Sequence, residues 1–289
     1  MLETHNISKS YGPIEALKNV TLNFSENKIY GLFGRNGAGK TTLLDIISTR
    51  IFADTGLVKC QAVDITRSPQ NIMENLCYMP ERNSFPAGYK VKTLLRLSQL
   101  SFPNYSKEME EKLVRLFKVN INQKFDKLSR GYQSIIKIII GMASYAPITI
   151  FDEPVLGLDA VSRDQFYRIL IEDFSMNPRM FILSTHFIEE SADLFDEAII
   201  IKEGKIIKQE SVESLLENCF YVSGKSEKVN QFTKDLTVLS TQNIHGMKTV
   251  VVEGNINNIE TNPELSYSKL TMQKLFIQLV GDQEVEVSL

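Results

Sequence analysis

Tryptophan is absent from this 289-residue chain, and cysteine and histidine occur three times each. Cys60, Cys77 and Cys219 have no paired spacing, so neither a disulfide framework nor a cysteine metal cluster is expected, and they read as small packing residues in a reducing compartment. No apolar run reaches the roughly 18 residues of a membrane-spanning helix. The longest candidate, residues 135–143, is short and carries Lys137. Met1, Leu2, Glu3, Thr4, His5 and Asn6 lack the basic start and apolar block of a secretory leader, which predicts a cytosolic chain. Neither sign of charge dominates. The formal net is −3, with 6 Lys/Arg against 11 Asp/Glu in residues 209–289 and 26 against 24 before them. That balance argues against a broad electrostatic footprint on DNA or RNA, so no nucleic-acid partner is expected. Internal repeats and low-complexity tracts are also missing.

What is present is a 43% hydrophobic complement, enough for a sizeable core, and one strong motif. Gly34, Arg35, Asn36, Gly37, Ala38, Gly39, Lys40, Thr41 and Thr42 follow the apolar residues 29–33 and precede a helical run. A strand, a glycine-rich loop and a helix in this order form a phosphate loop. The glycines let successive backbone N–H groups point inward at a phosphate, and the helix begins its positive dipole end there. Lys40 would reach the β and γ oxygens of a nucleoside triphosphate, and Thr41 would offer its hydroxyl to Mg²⁺.

The hydropathy pattern predicts an α/β fold. Short β segments at residues 2–7, 16–24, 56–65 and 76–80 surround the loop and its helix, and residues 91–146 turn helical. Strands at 148–151, 180–184 and 198–202 then alternate with helices at 163–174 and 188–194, which argues for a parallel sheet covered on both faces. The helical block, about residues 89–146, reads as an insertion into that core. Residues 1–208 form the expected main domain. Residues 209–289 form a small accessory α+β extension, given a regulatory or dimer-stabilising role because it lacks chemical motifs and concentrates acidic charge.

The strand at residues 148–151 ends in Asp152 and Glu153, where a sheet's carboxyl end places side chains beside a ligand crevice. Beside a Mg-nucleotide, the first carboxylate would hold the metal shell and the second would polarise an attacking water. The bland alternative is a cap on the next turn.

The motif order resembles the ATP-binding subunits of ABC transporters. Leu128, Ser129, Arg130, Gly131, Tyr132 and Gln133 stand where that family has its signature, Gly157, Leu158 and Asp159 stand as its D-loop, and His186 ends a strand as its switch histidine. Tyr11 matches the aromatic that stacks on adenine. Taken without the series, the signature, His186 and Tyr11 would be a helix cap, a core histidine and an edge-strand aromatic. The resemblance covers residues 2–208 and implies a P-loop ATPase with an N-terminal antiparallel β subdomain and an inserted helical subdomain. It further implies two ATP molecules sandwiched in a homodimer or heterodimer, each between one subunit's phosphate loop and the other's Ser129 and Gly131, and a separate transmembrane permease. That places the chain on the inner face of the cell membrane.

Three positions depart from the family pattern. Glu81 stands where the family has a glutamine, and the alternatives are a Mg²⁺ ligand or a solvated carboxylate. Arg130 and Tyr132 replace a glycine and a glutamine of the signature. Residues 149–160, Pro86 and residues 102–104 resemble a bacterial exporter branch that includes Ytr-type and phenol-soluble-modulin transporters, which implies efflux of amphipathic or antimicrobial peptides or a drug-like cargo. The rival readings are a soluble ABC-type switch acting on RNA, ribosomes or DNA, and a regulatory ATP sensor.

Overall fold

The computed structural model describes residues 1–66, 72, 74–82, 85–244, 246–256 and 261–281. The chain divides into two compact units, one of Met1–His186 with Ile199–Gln209, the other of Phe187–Ala198 with Glu210–Leu289.

In the first unit, β1 (Leu2–Tyr11) and β2 (Ile14–Phe24) pair antiparallel, and β1 also pairs with β4 (Thr55–Cys60), which hairpins into β5 (Val63–Asp64). Buried and partly exposed positions alternate along β1 and β2, as expected of a sheet with one face on the core. β1 reaches Tyr11 rather than stopping at residue 7. The expected strand over 56–65 is broken by Gln61 and Ala62, both at positive φ, which turn the chain back.

β3 (Ile29–Phe33), β6 (Leu76–Met79), β7 (Ile148–Asp152), β8 (Met180–Ser184), β9 (Glu197–Lys202) and β10 (Lys205–Ser211) form a six-stranded sheet in the order β10-β9-β3-β8-β7-β6. β3–β8, β8–β7 and β7–β6 are parallel pairs. All five residues of β3, β7 and β8 are buried, which explains their unbroken apolar runs: a parallel strand covered on both faces has no polar side. β10 was not foreseen, because Lys205, Lys208, Gln209 and Glu210 hide its apolar positions. Among its described residues this unit holds the α-helices α1 (Lys40–Ile47), α2 (Val91–Ser101), α3 (Lys107–Leu116), α4 (Arg130–Ser144) and α5 (Ala160–Met176). Leu43, Leu44, Ile46 and Ile47 of α1 join one core cluster with Leu17, Leu22, Leu32, Ile150 and Ile182 from the two sheets. The phosphate loop is thereby anchored on both sides.

The second unit holds α6 (Ile188–Ser191), α7 (Val212–Glu217), α8 (Ser226–Phe232) and α9 (Met272–Val280). Its antiparallel sheet has the order β12-β13-β11-β14, from β11 (Cys219–Lys225), β12 (Thr237–Ile244), β13 (Met247–Glu253) and β14 (Ser266–Lys269). Phe220, Val222, Val229, Val250, Val252 and Leu265 build its own core. Among the described residues, no helix is long and apolar enough to cross a membrane.

Candidate nucleotide site

The phosphate loop leaves β3 and enters α1 at Lys40, with Gly37 at φ 82° and Gly39 at φ 109°. Gly39 is required twice over. A side chain would be strained at that φ, and a Cβ there would lie 2.6 Å from the carbonyl oxygen of Ala16. The first turn of α1 contains no acidic residue, so its free N–H groups and dipole are left for an external anion. Lys40 is 8% exposed, and its Nζ donates to the carbonyls of Gly34 at 2.7 Å and Arg35 at 3.3 Å, which keeps the ammonium folded over the loop.

The strand end of β7 meets this loop. Thr41 Oγ1 donates to Asp152 Oδ2 at 2.7 Å across 111 residues of sequence. Asp152 is buried, and its Oδ1 has no hydrogen-bond partner among the described residues. A buried carboxylate oxygen left this way is costly unless a cation or water completes it. Together with the glycine cradle, it fits a Mg-polyphosphate. Among the described residues no group of three His, Cys, Asp or Glu side chains forms a metal cage.

Glu153 sits at φ 51°, a left-handed backbone that costs a non-glycine residue about 1 kcal/mol. Its N–H bonds the Ser184 carbonyl at 2.9 Å, which holds that conformation. Its Oε2 lies 2.7 Å from His186 Nδ1. Burial pushes the Glu153 carboxyl above the ordinary carboxylate range, and the neighbouring His186 and Lys40 partly oppose the rise. Thr41, Asp152, Glu153, Lys40, Asn36 and Glu81 all line one cavity of about 280 Å³, with Gly37, Gly39, Thr42 and Ala16 completing it. Ala16 escaped sequence reasoning, because nothing local marks a β2 alanine as facing a loop that begins 18 residues later. Arg35 lies in the same loop, and Ala38 turns into the core.

A second cavity, of about 320 Å³, gathers Ser129, Gly131, Tyr132, Gly157, Asp159 and Ser162. Ser129 caps α4 by accepting from the Tyr132 N–H at 3.3 Å. A Cβ at Gly131 would lie 2.4 Å from the Gly157 carbonyl oxygen, so the two segments touch backbone to backbone. Asp159 caps α5 through the N–H and hydroxyl of Ser162, and those bonds hold its carboxyl below the usual range. Arg130 is exposed in the first turn of α4, a turn without acidic side chains. Tyr11 is not brought into either cavity. It ends β1 half-exposed, with the Lys9 ammonium 5.8 Å from its ring.

A family model described as "ABC transporter" matches residues 17–156. The ABC transporter ATP-binding protein YtrB of Bacillus subtilis (strain 168) is 29% identical over 66% of this chain and 65% of YtrB, just under two thirds of that relative's length. It supports the Ytr resemblance. The lantibiotic transport ATP-binding protein SrtF of Streptococcus pyogenes is 28% identical over 75% of this chain and 96% of its own. Among solved structures, an ATP-binding subunit of an ABC transporter superposes with a TM-score of 0.67 at 22% identity, over 74% of this chain and 91% of that one. A dimeric post-hydrolysis state of the cassette MJ0796, bound to ADP and Pi, gives 0.65 at 21%, over 73% and 99%. These two establish the expected α/β architecture. The span matched by the family model, just under half of the chain, carries the phosphate loop, Glu81, the α4 N-terminus and the Asp152–Glu153 strand end, and over that span the chain is similar to the ATP-binding subunits of ABC transporters.

Proposed function

We propose that this chain hydrolyses ATP while paired with a second ATP-binding subunit, and that the cycle drives export through a separate transmembrane permease. The observation that carries the reading is the convergence of Lys40, Thr41, Asp152 and Glu153 on one cavity, from two segments distant in sequence. The loop residues Gly34 to Thr42 bind the phosphates through backbone N–H groups, with Lys40 as the point charge. Thr41 and Asp152 would hold Mg²⁺, with Glu81 lining the same cavity, and the ion when bound would supply charge neutralisation to the polyphosphate. Glu153 accepts the proton of the attacking water, and His186 orients Glu153 and the γ-phosphate. Ser129, Gly131 and Asp159 face the second subunit's nucleotide, and Tyr11 supports the adenine ring by stacking.

The lantibiotic transport named for SrtF, and the likeness to YtrB, support an amphipathic or antimicrobial peptide as cargo. The chain is then peripheral on the inner face of the cell membrane. The deciding experiment is affinity purification of the tagged chain from detergent-solubilised membranes. A co-purifying multi-span protein whose presence raises ATP turnover is the expected result. Recovery of the chain solely from the soluble fraction, bound to ribosomes or nucleic acid, would overturn the transporter reading.

A further inference from the structure

Lys137 is a buried cation with no part in the chemistry above. It lies on α4, 8% exposed, between Ile135, Ile136, Ile138 and Ile139, which are all buried. Its Nζ donates to the carbonyl of Pro80 at 2.7 Å and to that of Glu81 at 2.6 Å. β6 ends at Met79, so these two carbonyls lie beyond the sheet's hydrogen-bond ladder. The next residues back along the same stripe of α4 also grip the site. Ser134 Oγ donates to the Leu156 carbonyl at 2.9 Å, and Gly131 lies against Gly157. A lone ammonium in an apolar helix face destabilises the fold unless it is hydrogen-bonded, and an apolar residue there would pack without that cost. Position, not stability, is what such a group supplies.

We propose that Lys137 is a positioning residue: by holding the Pro80 and Glu81 carbonyls it sets the Glu81 carboxylate beside Thr41 and Asp152, and ties that corner of the phosphate cavity to the helix that carries Ser129 and Gly131. The inference rests on reading that cavity as a Mg-ATP site. Burial lowers the Lys137 pKa, and the nearby carboxylates of Glu81 and Asp152 oppose the shift, which agrees with an ammonium held next to the acidic corner. Lys137 thus links a protomer's own metal corner to the surface that it offers to the second subunit.

The test uses the full chain carrying Glu153→Gln, so that ATP is retained. ATP affinity is measured by calorimetry with Mg²⁺ and with EDTA, and their ratio is the metal gain. Lys137→Met should cut the metal gain roughly ten- to a hundredfold, the scale of a hydrogen bond to a charged group, and leave metal-free affinity within about twofold. Glu81→Ala should give the same loss, and the double variant no more, because the two act as one unit. A full metal gain in Lys137→Met overturns the proposal, as does an equal fall in both affinities, which a merely structural lysine would produce. If Lys137→Met fails to fold, the exposed Glu81→Ala decides, and a full metal gain there overturns it as well. A parent protein with no metal gain refutes the Mg-ATP reading itself, which keeps the two failures distinct.

Discussion

Glu153→Gln isolates the proton acceptance proposed for Glu153 from its structural contacts. The amide has nearly the volume of the acid, so neither a cavity nor overpacking follows. The backbone bond to the Ser184 carbonyl remains, and the amide can still face His186 across the 2.7 Å contact. On the proposed mechanism what disappears is a general base, worth about 10²- to 10⁴-fold in turnover, or about 3 to 5 kcal/mol of barrier. ATP affinity should hold or rise, because one negative charge leaves a cavity that must take a polyphosphate. The pH dependence supplies a second reading. Burial raises the Glu153 pKa, and a base works deprotonated, so parent turnover should start to fall at a higher pH than an ordinary carboxylate would dictate. In stability the sign is opposite: a group whose folded pKa is raised contributes below its unfolded value, and that contribution is lost as pH rises through the folded one. The variant should show neither effect. Phosphate release measured from about pH 5 to about pH 8, with calorimetric ATP binding alongside, decides the matter. Turnover within twofold of the parent, or an acid limb that survives the substitution, would refute Glu153 as the base.

Two further substitutions probe the two cavities separately. Lys40→Ala removes the ammonium that lies over the loop at 2.7 Å from the Gly34 carbonyl, and tight Mg-ATP binding should be lost; equal affinity by calorimetry would contradict the phosphate-loop assignment. Gly131→Ala forces a Cβ to within 2.4 Å of a backbone oxygen, so α4 and the Gly157 turn must separate. ATP binding to the isolated chain should be unchanged while ATP-dependent dimerisation, followed by light scattering, falls about tenfold or more, as a lost backbone fit at a subunit contact would cause; dimerisation equal to the parent's would remove the α4 N-terminus from that contact.

Sequence alone carried the phosphate loop, the acidic strand end and the alternation of strands and helices, because each is written in consecutive residues. A glycine-lysine-threonine run and an unbroken apolar strand need no partner to be recognised. The extension was harder. Helix α8 and strands β10 and β14 went unseen, since their apolar positions are few and interrupted by charge, and packing against neighbours overrides weak local preference. Lys137 was visible as the lone charge in residues 135–143, yet its spacing says nothing of where the ammonium goes.

Tertiary structure decided what meets what. Thr41 and Asp152 come into contact across 111 residues because β3 and β7 both flank β8 in one parallel sheet, which delivers loop and strand end to the same edge. The same sheet sets Glu153 against His186, and the close backbone approach of Gly131 to Gly157 brings the α4 N-terminus beside the Asp159 cap. Chain composition chooses which groups can bind a phosphate or move a proton. Strand order and helix packing choose which of them share a cavity, because such contacts depend on distances of a few ångströms that no local pattern encodes.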